Sequence, residues 1–326
     1  MCRPVFVTAD TYGTHGRPCA DYESLVDFRR TMSDHPSMSH PTRPSRRDVL
    51  RGYLVLPHAV PIIVVMIATA AFALVAASGW PGLGHMTWLL GAMFGAQLAI
   101  GAVNELVDVD LDAISKPEKP IPAGLVSRRG AWMVVITGLV LMTACSLRFS
   151  VPAFLVCGLG TGAGIAYSVW FKRTIWSWVP YLVALPLLPI WVWTALSSVE
   201  PGLFAIYPVG AAAVIAVQLA QSLPDIEADR IAHVRTLAVA LGPIRARRAC
   251  WGMMIAAAIM AASLAPWLTS RAVYVWLAAV FAWSLVGVNA AIWSRNGRTG
   301  AMACFPCIAA GAAALGIGWT TALLGA

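Results

Sequence analysis

Two short stretches hold the residues that could do chemistry. In NELVDVDLDAISKPEKPIPAG, Asn104, Asp108 and Asp112 recur at i, i+4 and i+8, so a helix presents all three on one face. In QSLPDIEADR, Gln221, Asp225 and Asp229 repeat the spacing, and both aspartate pairs, 108/225 and 112/229, lie 117 residues apart. An amide and two carboxylates at matched positions point to two copies of one unit. Like charges ~4 Å apart repel by several kcal/mol at an effective dielectric near 20, so four convergent carboxylates stabilise nothing alone. They make sense around divalent cations, and Mg²⁺ is held by few carboxylates together with substrate phosphates. Two solvated helix ends would explain either stripe singly. They explain the matched pair poorly in a chain with only 12% charged residues.

The elements that must position these stripes are long and apolar. The chain has 326 residues, 59% of them hydrophobic, and a mean hydropathy of +0.73. Soluble domains carry about 25% charged residues, so a polytopic membrane protein is implied. Nine apolar spans follow residue 49, each near the ~20 residues a bilayer demands: 53–78, 86–107, 131–149, 151–171, 177–197, 202–222, 245–265, 271–293 and 301–324. The fifth contains Pro180, Pro186 and Pro189, whose freed carbonyls neighbouring helices can satisfy. Lys116-Pro117 and Lys119-Pro120-Ile121-Pro122 end the second. Residues 1–48 are polar, rich in Pro, Ser, Arg and His, and read as a disordered cytosolic tail without the apolar core of a signal peptide. Residues 49–326 form the transmembrane domain.

Lys and Arg set the orientation. With the N-terminus inside, 21 of the 23 fall in the tail and inner loops, leaving only Arg148 and Arg271 outside. Both stripes then face the cytosol and the C-terminus lies outside. The net charge of +8 is thereby explained as topology rather than as a nucleic-acid footprint. Beyond the tail, eight of nine acidic residues lie in the loops of the two stripes, the exception being Glu200.

The set N-x3-D-x3-D, KPxKPIPAG, YSxxxKR and DxExDR…RTLAVALG resembles the UbiA superfamily of intramembrane prenyltransferases over about residues 49–326. The resemblance implies an all-α polytopic bundle of about nine transmembrane helices, with a pseudo-repeat of two four-helix units. It implies transfer of an isoprenoid from a prenyl diphosphate to an aromatic or other small acceptor, by Mg²⁺-assisted ionisation of the diphosphate with two ions. Asp108, Asp112, Asp225 and Asp229 match the family's metal-binding carboxylates, and Asn104 the residue that opens the first motif. Lys119 stands where the family usually has Arg. Tyr167 and Lys172 match an element at a cytosolic helix end. Lys172, Arg173 and Arg235, with Lys119 and Asn104, are the expected diphosphate contacts. A diphosphate, four aspartates, two Mg²⁺ and the cations Lys119, Lys172 and Arg173 cancel in nominal charge. Glu105 departs from the commoner Asp, and Gln221-Ser222 replace the Lys/Arg-Asp often found before the second motif.

Two other functions stay open at this level. A terpene cyclase on the same scaffold would capture the cation with its own chain. A divalent-cation or proton-coupled transporter would want acids at mid-membrane and a path outward, whereas these acids sit at one face. Several residues also have plainer roles. Tyr167 reads equally as an interfacial aromatic, and Lys172 and Arg173 as topological anchors. Asp110 and Glu227 point to solvent. Trp176 and Trp178 fit an aromatic belt, while Trp191 and Trp193 could line a prenyl or cation pocket. His58, His85 and His233 are interface residues, and Cys304-Phe-Pro-Cys307 packs as small hydrophobes because no partner pair exists. Arg47 or Arg51 is a candidate cation for an acceptor carboxylate.

Overall fold

A computed structural model describes residues 45–323 apart from 58, 200–202, 205 and 232–233. The expected disordered tail lies outside these residues up to position 44, as do His58 and His233. The first helix, α1 (Arg46–Val55), starts earlier than the boundary at 48, because Ser45 and Asp48 form a reciprocal capping box. The membrane helices follow: α2 (Ala59–Ala76), α3 (Leu83–Ser115), α4 (Arg128–Leu147), α5 (Val151–Ala166), α6 (Val179–Leu196) and α7 (Ile206–Ser222). Two short helices, α8 (Ile226–Ile231) and α9 (Leu237–Leu241), precede α10 (Pro243–Leu268), α11 (Ala272–Arg295) and α12 (Gly297–Leu323). Among the described residues eight helices are long and apolar enough to cross a bilayer, and Pro61–Ala76 of α2 adds a shorter ninth apolar run. This is a multi-pass integral membrane protein.

The helices pack as two four-helix sets. In one, α3 lies against α4 and α5, and α5 against α6. In the other, α7 lies against α10 and α12, and α11 against both. Helix α6 meets α7 across the seam, and α2 packs on α3, α6 and α12. The first set begins with the helix that carries one stripe, α3, and the second with the helix whose last turn carries Gln221, the first residue of the other. The α3–α4 contact is made by small residues, as lipid-embedded helices require. A Cβ on Gly95 would lie 2.6 Å from the Gly138 carbonyl oxygen, and one on Gly138 would lie 2.6 Å from that of Gly95. Helix α6 runs unbroken through Pro186 and Pro189, both buried. Cys304 is buried with its sulfur 3.8 Å from that of Cys250, so it meets a thiol from another helix rather than Cys307.

Candidate active site

The first stripe comes from the last turns of α3 and is buried: Glu105, Asp108 and Asp112 are 2%, 6% and 5% exposed. Its ion pairs divide it. Lys172 Nζ donates to Asn104 Oδ1 at 2.7 Å and to the Asp108 carboxylate, whose other oxygen accepts from Arg173 Nη2 at 2.8 Å. Lys119 Nζ donates to Glu105 Oε1 at 2.6 Å and to Asp112 Oδ2 at 2.7 Å. Each α-helical residue advances about 100°, so position i+8 has drifted about 80° from position i. Asp112 therefore shares a face with Glu105 more than with Asn104. The single face expected from the spacing is two adjacent faces, each with its own lysine.

Both lysines are placed by irregular backbone. Helix α5 passes into a π-helical turn, Tyr167–Phe171, and the Lys172 N–H donates to the Tyr167 carbonyl at 2.8 Å. Such turns inside helices concentrate at functional sites. Lys119 lies in the proline-rich loop after α3, held by its carbonyl accepting from Ala123 N–H at 2.9 Å and by Leu125 and Val126 N–H donating to Pro120 at 3.0 Å. Burial pushes the Lys119 ammonium down, but the hydrogen bonds and charges of Asp112 and Glu105 outweigh it and hold it above the ordinary 10.5.

The second stripe is more open. Pro224 turns the chain into a 3₁₀ segment, Leu223–Asp225, between α7 and α8, so Gln221, Asp225 and Asp229 do not share one continuous helix. Asp225 is exposed and Asp229 half-buried. The Tyr181 hydroxyl donates to Gln221 Oε1, and the Tyr181 ring meets Tyr167 edge-on with centroids 5.0 Å apart. The two stripes meet at one end of the bundle, where Asn104 of the first and Gln221 of the second line a common cavity together with Tyr167 and Lys172. Among the described residues no three acidic, histidine or cysteine side chains converge closely enough to hold a metal ion by themselves.

Below this polar end opens a cavity of about 590 Å³. Asn104, Tyr167, Lys172, Tyr181 and Gln221 line its polar mouth, and Phe72, Met93, Leu187, Trp191 and Trp319 are among its apolar walls.

Other expected residues fall elsewhere. Arg235 is exposed in the segment between α8 and α9 and makes no hydrogen bond or ion pair with another described residue. Asp110 points outward, 87% exposed, and pairs with Arg128 at 2.6 Å, while Glu227 pairs with Arg230. Trp176 is exposed, Trp191 lines the cavity, and Trp193 is buried without reaching it. His85 lies against Phe149 and the Pro81 carbonyl. Arg47 and Arg51 are exposed on α1. Two site residues were missed from the sequence. Glu105 sits seven residues before Asp112, a spacing that puts both on one helix face and could have revealed it. Tyr181 carries no local signal.

An all-helical membrane bundle with a polar cap over an apolar cavity defines the class, and sequence relationships define the family. The UbiA prenyltransferase family model matches residues 64–308. Digeranylgeranylglyceryl phosphate synthase of Natronomonas pharaonis is 28% identical over 208 residues, covering 62% of this chain and 73% of that one. The bacteriochlorophyll synthase 33 kDa chain of Cereibacter sphaeroides is 32% identical over 203 residues, covering 58% of this chain and 66% of that one. A UbiA homolog from Archaeoglobus fulgidus bound to GPP and Mg²⁺ superposes with a TM-score of 0.62 at 19% identity, covering 81% of this chain and 99% of that one. The protein belongs to the UbiA prenyltransferase family.

Proposed function

We propose that this enzyme transfers a prenyl group from a prenyl diphosphate to a small acceptor, aromatic or otherwise, with the diphosphate held at the polar cap and the isoprenoid in the cavity. The observation that carries the reading is Lys172, bonded to Asn104 and Asp108 at the mouth of an apolar cavity. Lys172, Arg173 and Lys119 supply positive charge to a departing diphosphate, which favours heterolysis of the allylic C–O bond. Asn104, Asp108, Asp112, Asp225 and Asp229 offer only oxygen donors, a set that suits Mg²⁺. Among the described residues no three acids converge, so each ion would be completed by diphosphate oxygens. Two bound Mg²⁺ would supply Lewis-acid neutralisation of the leaving group. The rings of Tyr167 and Tyr181 line the cavity and would favour positive charge on an allylic carbon held at its mouth, while the apolar walls would keep water from capturing it. The stripes and N-terminus face the cytosol, and the C-terminus lies outside, in keeping with the distribution of Lys and Arg.

The test is the product profile of purified protein with Mg²⁺ and one labelled prenyl diphosphate, with and without an extract of small acceptors. Acceptor-dependent formation of a prenylated product is expected. Rapid formation of a cyclic terpene without acceptor would overturn the transferase reading.

A further inference from the structure

The C-terminal third has a second polar centre that prenyl transfer does not use. No Asp or Glu follows Asp229, yet Arg245, Arg247, Arg248, Arg295 and Arg298 gather where α10 begins, α11 ends and α12 begins. This is the end of the bundle that carries the stripes, since the 3₁₀ turn Leu223–Asp225 packs against α10 and α12.

Arg247 is built in rather than trailing into solvent. Its guanidinium carbon lies 5.3 Å from the Trp251 ring centroid and 5.1 Å from that of Trp293, and the two rings meet edge to face at 6.1 Å. Both rings are fixed. Trp251 Nε1 donates to Asn289 Oδ1 at 2.9 Å, and Asn289 Nδ2 donates to the Gly300 carbonyl at 2.9 Å. Gly300 lets α12 close on Trp293, because a Cβ there would fall 2.5 Å from the Trp293 Cα. The Arg247 Nε is buried without a hydrogen-bond partner, and none of the five arginines forms an ion pair with a described residue. Positive-inside topology accounts for arginines at this end. It does not account for one held within about 5 Å of two tryptophan rings with its buried Nε unpaired.

We propose that Arg247, clamped by Trp251 and Trp293 and flanked by Arg245 and Arg248, binds the phosphate of an anionic phospholipid headgroup at the membrane surface. Planar guanidinium donors match phosphate oxygens. Basic pockets between membrane helices take lipid headgroups in this way. The location, on helices that reach the bilayer surface, favours a lipid over a free anion.

The test uses the full chain in nanodiscs of phosphatidylcholine with increasing phosphatidylglycerol. Native mass spectrometry counts retained phosphatidylglycerol, and thermal unfolding is followed in parallel. The wild type should retain the lipid and unfold at a higher temperature as its fraction rises. Arg247→Ala should weaken retention about fivefold, the effect of ~1 kcal/mol per basic residue at an anionic surface. Arg245→Gln with Arg248→Gln, both exposed, keeps the clamp intact and should weaken retention while leaving the protein folded in phosphatidylcholine. Arg271→Ala, at the opposite end, should change nothing. Equal retention by wild type and both cluster variants would overturn the proposal. Displacement of the lipid by millimolar inorganic phosphate would overturn it in favour of a soluble anion site.

Discussion

Lys172 donates to Asn104 and to Asp108, residues 68 and 64 positions earlier in the chain, and so ties the π turn after α5 to the end of α3. One ammonium thereby bridges an amide and a carboxylate that lie one turn apart on α3. Replacing it tests position and charge together. Lys172→Ala should lower kcat/KM for prenyl transfer by about 10²–10³-fold, the usual cost of losing one preorganised cationic donor. Asp110→Ala, which breaks only an exposed pair with Arg128, should stay within a few-fold of wild type. Comparable losses from both would remove Lys172 from the machinery.

The two stripes should separate stability from activity. Asp108 is buried and accepts from two cations, whereas Asp225 is exposed. Both Asp108→Ala and Asp225→Ala should abolish turnover. Only Asp108→Ala should also destabilise the fold, by about 1–3 kcal/mol for leaving charged partners unmatched. Thermal unfolding in detergent separates the cases; an equally destabilised Asp225→Ala would contradict the exposed position.

Lys119 sets an alkaline limit. Its folded-state pKa is raised, so its contribution is fully present below 10.5 and is lost as pH rises through the folded value above that. The loop Lys116–Gly124 should stay protected from proteolysis at neutral pH and open only in that alkaline range. Lys119→Met should make cleavage pH-independent there. Loop opening near pH 8 in the wild type would contradict the assignment.

Close packing of α3 on α4 depends on Gly95 facing Gly138. Gly95→Val drives a side chain into backbone and should cost about 1–3 kcal/mol or more. Gly84, with open space around its missing Cβ, should accept alanine with little change. Thermal melts of the two variants decide it.

Orientation is tested with reporter fusions. An extracytoplasmic signal is expected after Ala326 and a cytosolic one in the loop after α3. The reverse would invert the placement of both stripes.

Much of this was legible in the sequence because membrane helices write their length in hydropathy. Nine apolar spans, the proline-rich loop and the outward Asp110 all follow from local periodicity. The split of the first stripe was not, because i, i+4, i+8 conceals a drift of about 80° that only shows when partners are placed. Pro224 signalled an interruption within the second stripe, yet the i+4 pattern obscured it. The Tyr181–Gln221 bond and the Arg247–Trp293 half of the clamp join residues far apart in sequence, and no periodicity records them.

The π turn at Tyr167–Phe171 makes this short segment asymmetric in a genetic sense. Its closing bond, Lys172 N–H to the Tyr167 carbonyl, spans five residues where an α turn spans four. Loss of one residue would tighten the turn to an α turn and leave Lys172 and Arg173 near Asp108. Gain of one finds no slack and would swing them about 100° around the axis, away from Asp108. A single-codon insertion here should therefore act as a null allele where a single-codon deletion is partly tolerated.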